Sequence, residues 1–82
     1  MTRTRRMNAD EVERILERYG FELISQKGSH RKWRNLDRQL QVIVPYHKGR
    51  DLPIGTLRNI MVGADIPENE WKTESSNTMA KI

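Results

Sequence analysis

The chain contains no cysteine, which removes disulfides, thiolate metal sites and cysteine nucleophiles together. That fits a reducing compartment. Aromatic residues are scarce, with 2 Trp, 2 Tyr and 1 Phe, and only 35% of the 82 residues are hydrophobic. A domain of this length buries only roughly 60–65% of its unfolded surface, so a deep cavity for a large organic cofactor is excluded. No apolar run approaches the roughly 20 residues that cross a bilayer. The basic N-terminus has no apolar stretch behind it and does not read as a secretory signal, so the expected location is cytoplasmic. Histidine occurs only as His30 and His47. Without cysteine or convergent carboxylates these make a poor zinc or two-metal site, and no cofactor is expected.

What the chain does have is positive charge in one place. Its 15 Lys+Arg exceed 11 Asp+Glu, for a net charge of +4. Residues 27–58 hold Lys27, Arg31, Lys32, Arg34, Arg38, Lys48, Arg50 and Arg58 against Asp37 and Asp51 alone. The segments on either side are acidic, apart from an N-terminal cluster of Arg3, Arg5 and Arg6. A basic centre points to a polyanion, with nucleic acid the default; the competing reading is a solvated basic surface with no specific ligand.

Residues 1–7 read as a basic disordered arm. Asn8 followed by Glu11 fits a capping box, and Val12, Ile15, Leu16 and Tyr19 recur at helical spacing up to Gly20, so a first helix is expected over residues 9–19. Phe21 to Gln26 alternates loosely, like a half-buried strand, before a turn at Gly28-Ser29. The next run, His30 to Arg34, reads as a strand with Arg31 and Trp33 on one face and His30, Lys32 and Arg34 on the other. After a turn at Leu36 to Arg38, Gln39 to Val44 alternates clearly and ends at Pro45. Connections this short make an antiparallel meander. Tyr46 to Asp51 is a loop, and a second helix starts near Pro53 with Ile54, Leu57, Ile60, Met61 and Ala64 as its apolar stripe, broken by Gly63. Pro67 to Trp71 suits a final helical turn, and residues 73–82 read as a disordered tail. Two helices on one side of a three-stranded sheet would cover Trp33, Leu40 and Val42 and leave the other face open. The expected class is α+β.

The chemistry-bearing candidates lie on that open face. A neutral His30 imidazole can take the proton of a ribose 2′-OH, which then attacks the adjacent phosphate while neighbouring cations offset the developing charge. No metal is required. The other reading of His30 is a turn histidine with a structural hydrogen bond. His47 suits a general acid, a phosphate contact or a loop anchor. The backbone N–H groups at Pro53-Ile54-Gly55-Thr56 offer either a phosphate seat or ordinary helix initiation. Trp33 reads as core, and Tyr46 as a surface residue able to stack on a base.

The run Gln26-Lys27-Gly28-Ser29-His30-Arg31-Lys32-Trp33-Arg34 resembles the signature of HicA-type toxins, the small mRNA interferases of bacterial and archaeal toxin–antitoxin modules. A second block, Val44-Pro45-Tyr46-His47-Lys48-Gly49-Arg50-Asp51-Leu52 through Gly55-Thr56-Leu57-Arg58-Asn59-Ile60, resembles that family's second stretch. With the first helix, the resemblance covers about residues 8–71. It implies a fold like double-stranded RNA-binding domains, a toxin domain over residues 8–72, and endoribonuclease activity that cleaves mRNA and arrests translation. His30 falls at the family's catalytic histidine. Lys27, Gly28, Ser29, Arg31, Lys32, Arg34, His47 and Lys48 become the expected RNA contacts. A HicB-type antitoxin covering the active face is implied as partner, with operator DNA reached only through it. The arm Met1 to Met7 is longer than the family's usual start, and the tail after Trp71 matches nothing in it. The general acid is left open. Flexible single-stranded RNA is the expected substrate, because in-line attack needs backbone freedom that a regular duplex restricts. Two other readings fit the residues: a non-catalytic RNA-binding module of the same fold, and a protein-interaction domain whose basic face docks an acidic partner.

Overall fold

The computed structural model describes residues 6–71. Helix α1 (Ala9–Arg18) is followed by strands β1 (Glu22–Lys27), β2 (His30–Asn35) and β3 (Leu40–Pro45), then helix α2 (Ile54–Ala64). The strands form one antiparallel sheet in the order β1-β2-β3. This is the expected α-β-β-β-α arrangement, of the double-stranded RNA-binding type. A short helical turn at residues 68–71 ends the described chain.

Both ends of α1 are set by local chemistry. The Asn8 side chain accepts from the Glu11 N–H at 2.9 Å and the Glu11 carboxylate accepts from the Asn8 N–H at 2.9 Å, which closes the capping box. At the other end Gly20 takes φ +90°. The Phe21 N–H donates to the Leu16 carbonyl and the Gly20 N–H to the Glu17 carbonyl. These two bonds make a Schellman stop, with buried Phe21 packed near the helix end. Val12, Ile15 and Leu16 are fully buried. Each such side chain stabilises the fold by about 2 kcal/mol over its exposed form.

The strands present different chemistry on their two faces. Residues directly opposite across an antiparallel pair share a face. Arg31, Trp33 and Asn35 therefore lie with Val44, Val42 and Leu40 under the helices. Trp33, Val42 and Val44 are buried and Leu40 partly so, which adds Val44 to the expected set. Asn35, at 4% exposure, makes two bonds: its amide donates to the Tyr19 carbonyl at 2.9 Å and its carbonyl oxygen accepts from the Arg38 N–H at 3.0 Å. One side chain thus ties the end of α1 to the β2–β3 turn.

Two expectations are corrected. First, β1 is exposed along its whole length rather than half-buried. It is an outer strand that lies beyond the cover of the helices, and a register shift between Leu23 and Ser25 breaks its alternation. Second, the expected arm does not extend through residue 7. Met7 is buried, its carbonyl accepts from the Leu52 N–H at 2.7 Å, and Arg6 lies 3.6 Å from the Asp51 carboxylate. Residues 1–5 of the arm and the 73–82 tail lie outside the described residues. Trp71, at the end of the expected final helical turn, belongs to the core at 1% exposure, with its indole N–H donating to the Ile66 carbonyl at 3.1 Å.

Gly63 interrupts the stripe of α2 because the helix crosses β3 closely there. A Cβ at Gly63 would sit 3.0 Å from a Val42 methyl, whereas one at Gly55 meets nothing within 4 Å. Glycine-to-alanine in a helix normally stabilises by up to about 1 kcal/mol. Gly55→Ala is expected to raise the urea midpoint by roughly 0.5 kcal/mol of stability. Gly63→Ala is expected to fall at least about 1 kcal/mol below it, because the crowded contact cancels the gain. Equal midpoints for the two variants would contradict this packing.

Candidate nucleic-acid interface and catalytic face

The uncovered face of the sheet collects Lys27, His30, Lys32 and Arg34 of the expected site. Lys27 pairs with His30 and Ser25 with Lys32, while across β3 His30 faces Pro45, Lys32 faces Ile43 and Arg34 faces Gln41. His30, Lys32 and Arg34 thus stand in a row on the central strand, with Lys27 beside His30. His30 and Arg34 are exposed, Lys32 is half-buried. Glu22, opposite Arg34, is the single acid in these pairs.

The turn before His30 is held in place from both sides. Gly28 adopts φ +59° and is the first of two residues linking β1 to β2, the position a type II′ hairpin reserves for glycine. The Gln26 amide donates to the Gly28 carbonyl at 3.0 Å. The Tyr46 N–H donates to the Ser29 carbonyl at 2.6 Å, which draws the segment after β3 onto this turn. His47 and Lys48, both exposed, follow directly, and the Arg50 N–H closes their loop on the His47 carbonyl at 3.1 Å. The arrangement brings the Gly28-Ser29 turn, His30 and the start of the His47 loop to one end of the sheet.

Arg31 is turned the other way. Its guanidinium donates to the Glu13 carboxylate at 2.7 Å and lies 3.9 Å above the Tyr46 ring centroid. The second Glu13 oxygen accepts from the Trp33 indole N–H at 2.9 Å, and the Tyr46 hydroxyl donates to Asp10 at 3.3 Å. Arg31 and Tyr46, candidates for RNA contact and base stacking, are therefore engaged in fastening β2 and the end of β3 to α1. Trp33 is core, as expected.

Sequence reasoning missed Glu13, which is only 7% exposed. A signal was present. Glu13 stands four residues after Ala9 and three before Leu16, both buried, so it occupies a core position of the helix. A carboxylate there needs a buried cationic or N–H partner, and the Arg31-Lys32-Trp33 strand supplies two. At the start of α2, Pro53 is the N-cap and makes no side-chain capping bond. Among the described residues no cluster of three or more His, Asp or Glu side chains could hold a metal ion, and no helix is long and apolar enough to cross a membrane.

Removing the Glu13 carboxylate leaves the buried Trp33 N–H and the partly buried Arg31 guanidinium without that acceptor. Glu13→Ala is expected to destabilise by about 2–3 kcal/mol, and Glu13→Gln, which keeps one acceptor, by less; urea unfolding measures both. The hydrogen bond to Asp10 holds the Tyr46 phenol above its ordinary value of 10.0. A raised phenol value favours the protonated fold, so this contribution is complete below the ordinary value and fades as pH rises through the raised one. With Tyr19→Phe as background, because Tyr19 is also raised by its hydrogen bond to Glu70, Asp10→Asn is expected to bring the remaining tyrosine transition to lower pH in ultraviolet absorbance. An unmoved transition would contradict the bond.

No curated protein matches the chain significantly. Compared with family models, residues 9–66 match the one described as the HicA toxin of bacterial toxin-antitoxin.

Proposed function

The chain belongs to the HicA toxin family of bacterial toxin–antitoxin systems, and from that premise we propose that it is a metal-independent endoribonuclease that cleaves mRNA, with His30 as general base. The family carries with it a cognate antitoxin as partner. The observation that supports the catalytic reading is the exposed His30 imidazole on the open face, flanked by Lys27 on one strand and by Lys32 and Arg34 along its own.

The chemistry follows from that setting. The neutral imidazole accepts the proton of a ribose 2′-OH, and the 2′-oxygen attacks the adjacent phosphorus. The bond from phosphorus to the 5′-oxygen breaks, which leaves a 2′,3′-cyclic phosphate on one fragment and, after protonation, a 5′-hydroxyl on the other. Charge builds on the non-bridging oxygens during attack, and Lys27, Lys32 and Arg34 offset it. The leaving oxygen takes its proton from water or from His47 on the adjoining loop. Gly28 and Ser29 shape the turn against which the backbone lies, and Lys48 adds a phosphate contact. Arg31 acts one step removed, by holding the strand that carries His30 against α1. Single-stranded RNA is the substrate, in the cytoplasm where mRNA is found. A HicB-type antitoxin covers the open face, and operator DNA is reached through that partner.

The test is incubation of the protein and its His30→Ala variant with mixed mRNA in EDTA, read on a denaturing gel. His30→Ala is expected to lose at least about 100-fold in cleavage rate while keeping the parent's thermal midpoint and antitoxin binding. Equal cleavage by the two would sink the assignment of His30. Intact RNA in both lanes, together with salt-sensitive RNA binding, would point instead to a binding module.

A further inference from the structure

A groove of about 340 Å³ opens beside His30, between the outer strand β3 and helix α2. From the strand it is lined by Gln41, Ile43 and Pro45, which stand on the open face opposite Arg34, Lys32 and His30. From the helix it is lined by Thr56 and Asn59, three residues apart on one side of α2. The close crossing at Gly63 brings the two walls together.

Its lining differs in kind from the surface next to it. No Lys, Arg, Asp or Glu side chain lines the groove, whereas Lys32 and Arg34 stand in line with His30 on the neighbouring strand β2, and Lys27 lies beyond it on β1. A phosphate would therefore settle on the cations, and the groove suits a neutral group. The Gln41 and Asn59 carboxamides each offer donors and an acceptor, and the Thr56 hydroxyl offers both. Among the described residues none of these three side chains has a hydrogen-bond partner, so their polar atoms are free for a ligand. Ile43, a large aliphatic side chain left 42% exposed, provides an apolar surface beside them. A planar, uncharged ligand with a hydrogen-bonding edge matches this combination, and single-stranded RNA presents one at every nucleotide. The volume is at the small end for ligand sites and suits one nucleoside rather than a strand.

We propose that this groove receives the nucleobase adjoining the scissile phosphate, with Gln41 and Asn59 reading its hydrogen-bonding edge. The inference rests on the ribonuclease reading above and adds selectivity to it. Cleavage then favours sites where that base is unpaired and of one kind, because a wrong base leaves the carboxamides without partners.

Two measurements decide it. The first sequences the cut ends produced by the parent, Gln41→Ala and Asn59→Ala. The parent is expected to favour one base beside the cut by about tenfold, and each variant to lower the rate at that base toward the rate at the others. The second titrates His30→Ala protein, with and without Asn59→Ala, with four short single-stranded RNAs that differ at one base. The same preference is expected in affinity, and Asn59→Ala is expected to flatten it. Both substituted side chains are exposed, and each variant's thermal midpoint verifies its fold. Absence of base preference in the binding titration, or a preference that persists unchanged in both variants, overturns the proposal. A parent that leaves RNA intact overturns the ribonuclease reading alone, because the binding titration still decides what the groove holds.

Discussion

Glu13 is the point at which helix and sheet are joined. Its carboxylate lies at a core position of α1, and two strand donors reach it: the Arg31 guanidinium at 2.7 Å and the Trp33 indole at 2.9 Å. A buried carboxylate is costly without partners, so the contact selects one placement of β2 beneath α1. Tyr46 extends the same network, with its ring under Arg31 and its hydroxyl on Asp10. The residue after β3 is thereby fixed as well, and the His47 loop begins from a held position.

The orientation of the site depends on this anchor through strand parity. In a β-strand, neighbours point to opposite faces. With Arg31 and Trp33 committed to α1, His30, Lys32 and Arg34 have no alternative but the open face. A slip of one residue would bury His30 and Lys32 and expose the tryptophan. The partners Trp33↔Val42 and Arg31↔Val44 secure the register from the other side by burying both valines. Core packing and presentation of the site are thus two consequences of one pairing.

The edges of the sheet are treated differently. β1 is left uncovered, and its register shift at Leu23 to Ser25, with Glu22 and Lys27 at its ends, makes it a poor template for further strands. β3 is covered by α2, which approaches to the limit that Gly63 permits against Val42. That approach forms the uncharged groove beside His30. The open face is therefore divided, with cations on β1 and β2 and neutral polar and apolar groups on β3 toward α2.

Much of this was legible in the chain. The capping box at Asn8 and Glu11, the glycine stop at position 20, the hairpin glycine at 28 and the alternation up to Pro45 all act over a few residues, so local rules recover α1, β2, β3 and α2. The face carrying His30, Lys32 and Arg34 followed from parity alone. Other features needed atoms brought together from distant positions. β1 reads as half-buried because its residues alternate, but burial depends on what lies above a strand, and the helices stop short of it. Met7 looks like part of a loose arm until the hydrogen bond to Leu52 holds it in the core, and the burial of Trp71 appears only with the indole bond to Ile66. Arg31 and Tyr46 carry the chemistry of RNA contacts, and only the position of α1 reveals that Glu13 and Asp10 have already taken them. The sequence by itself determined the order of elements and the chemistry of each strand face, because both arise from near-neighbour geometry. Tertiary structure alone decided which of those groups remain free and what lies beside His30, because both depend on contacts between residues far apart in the chain.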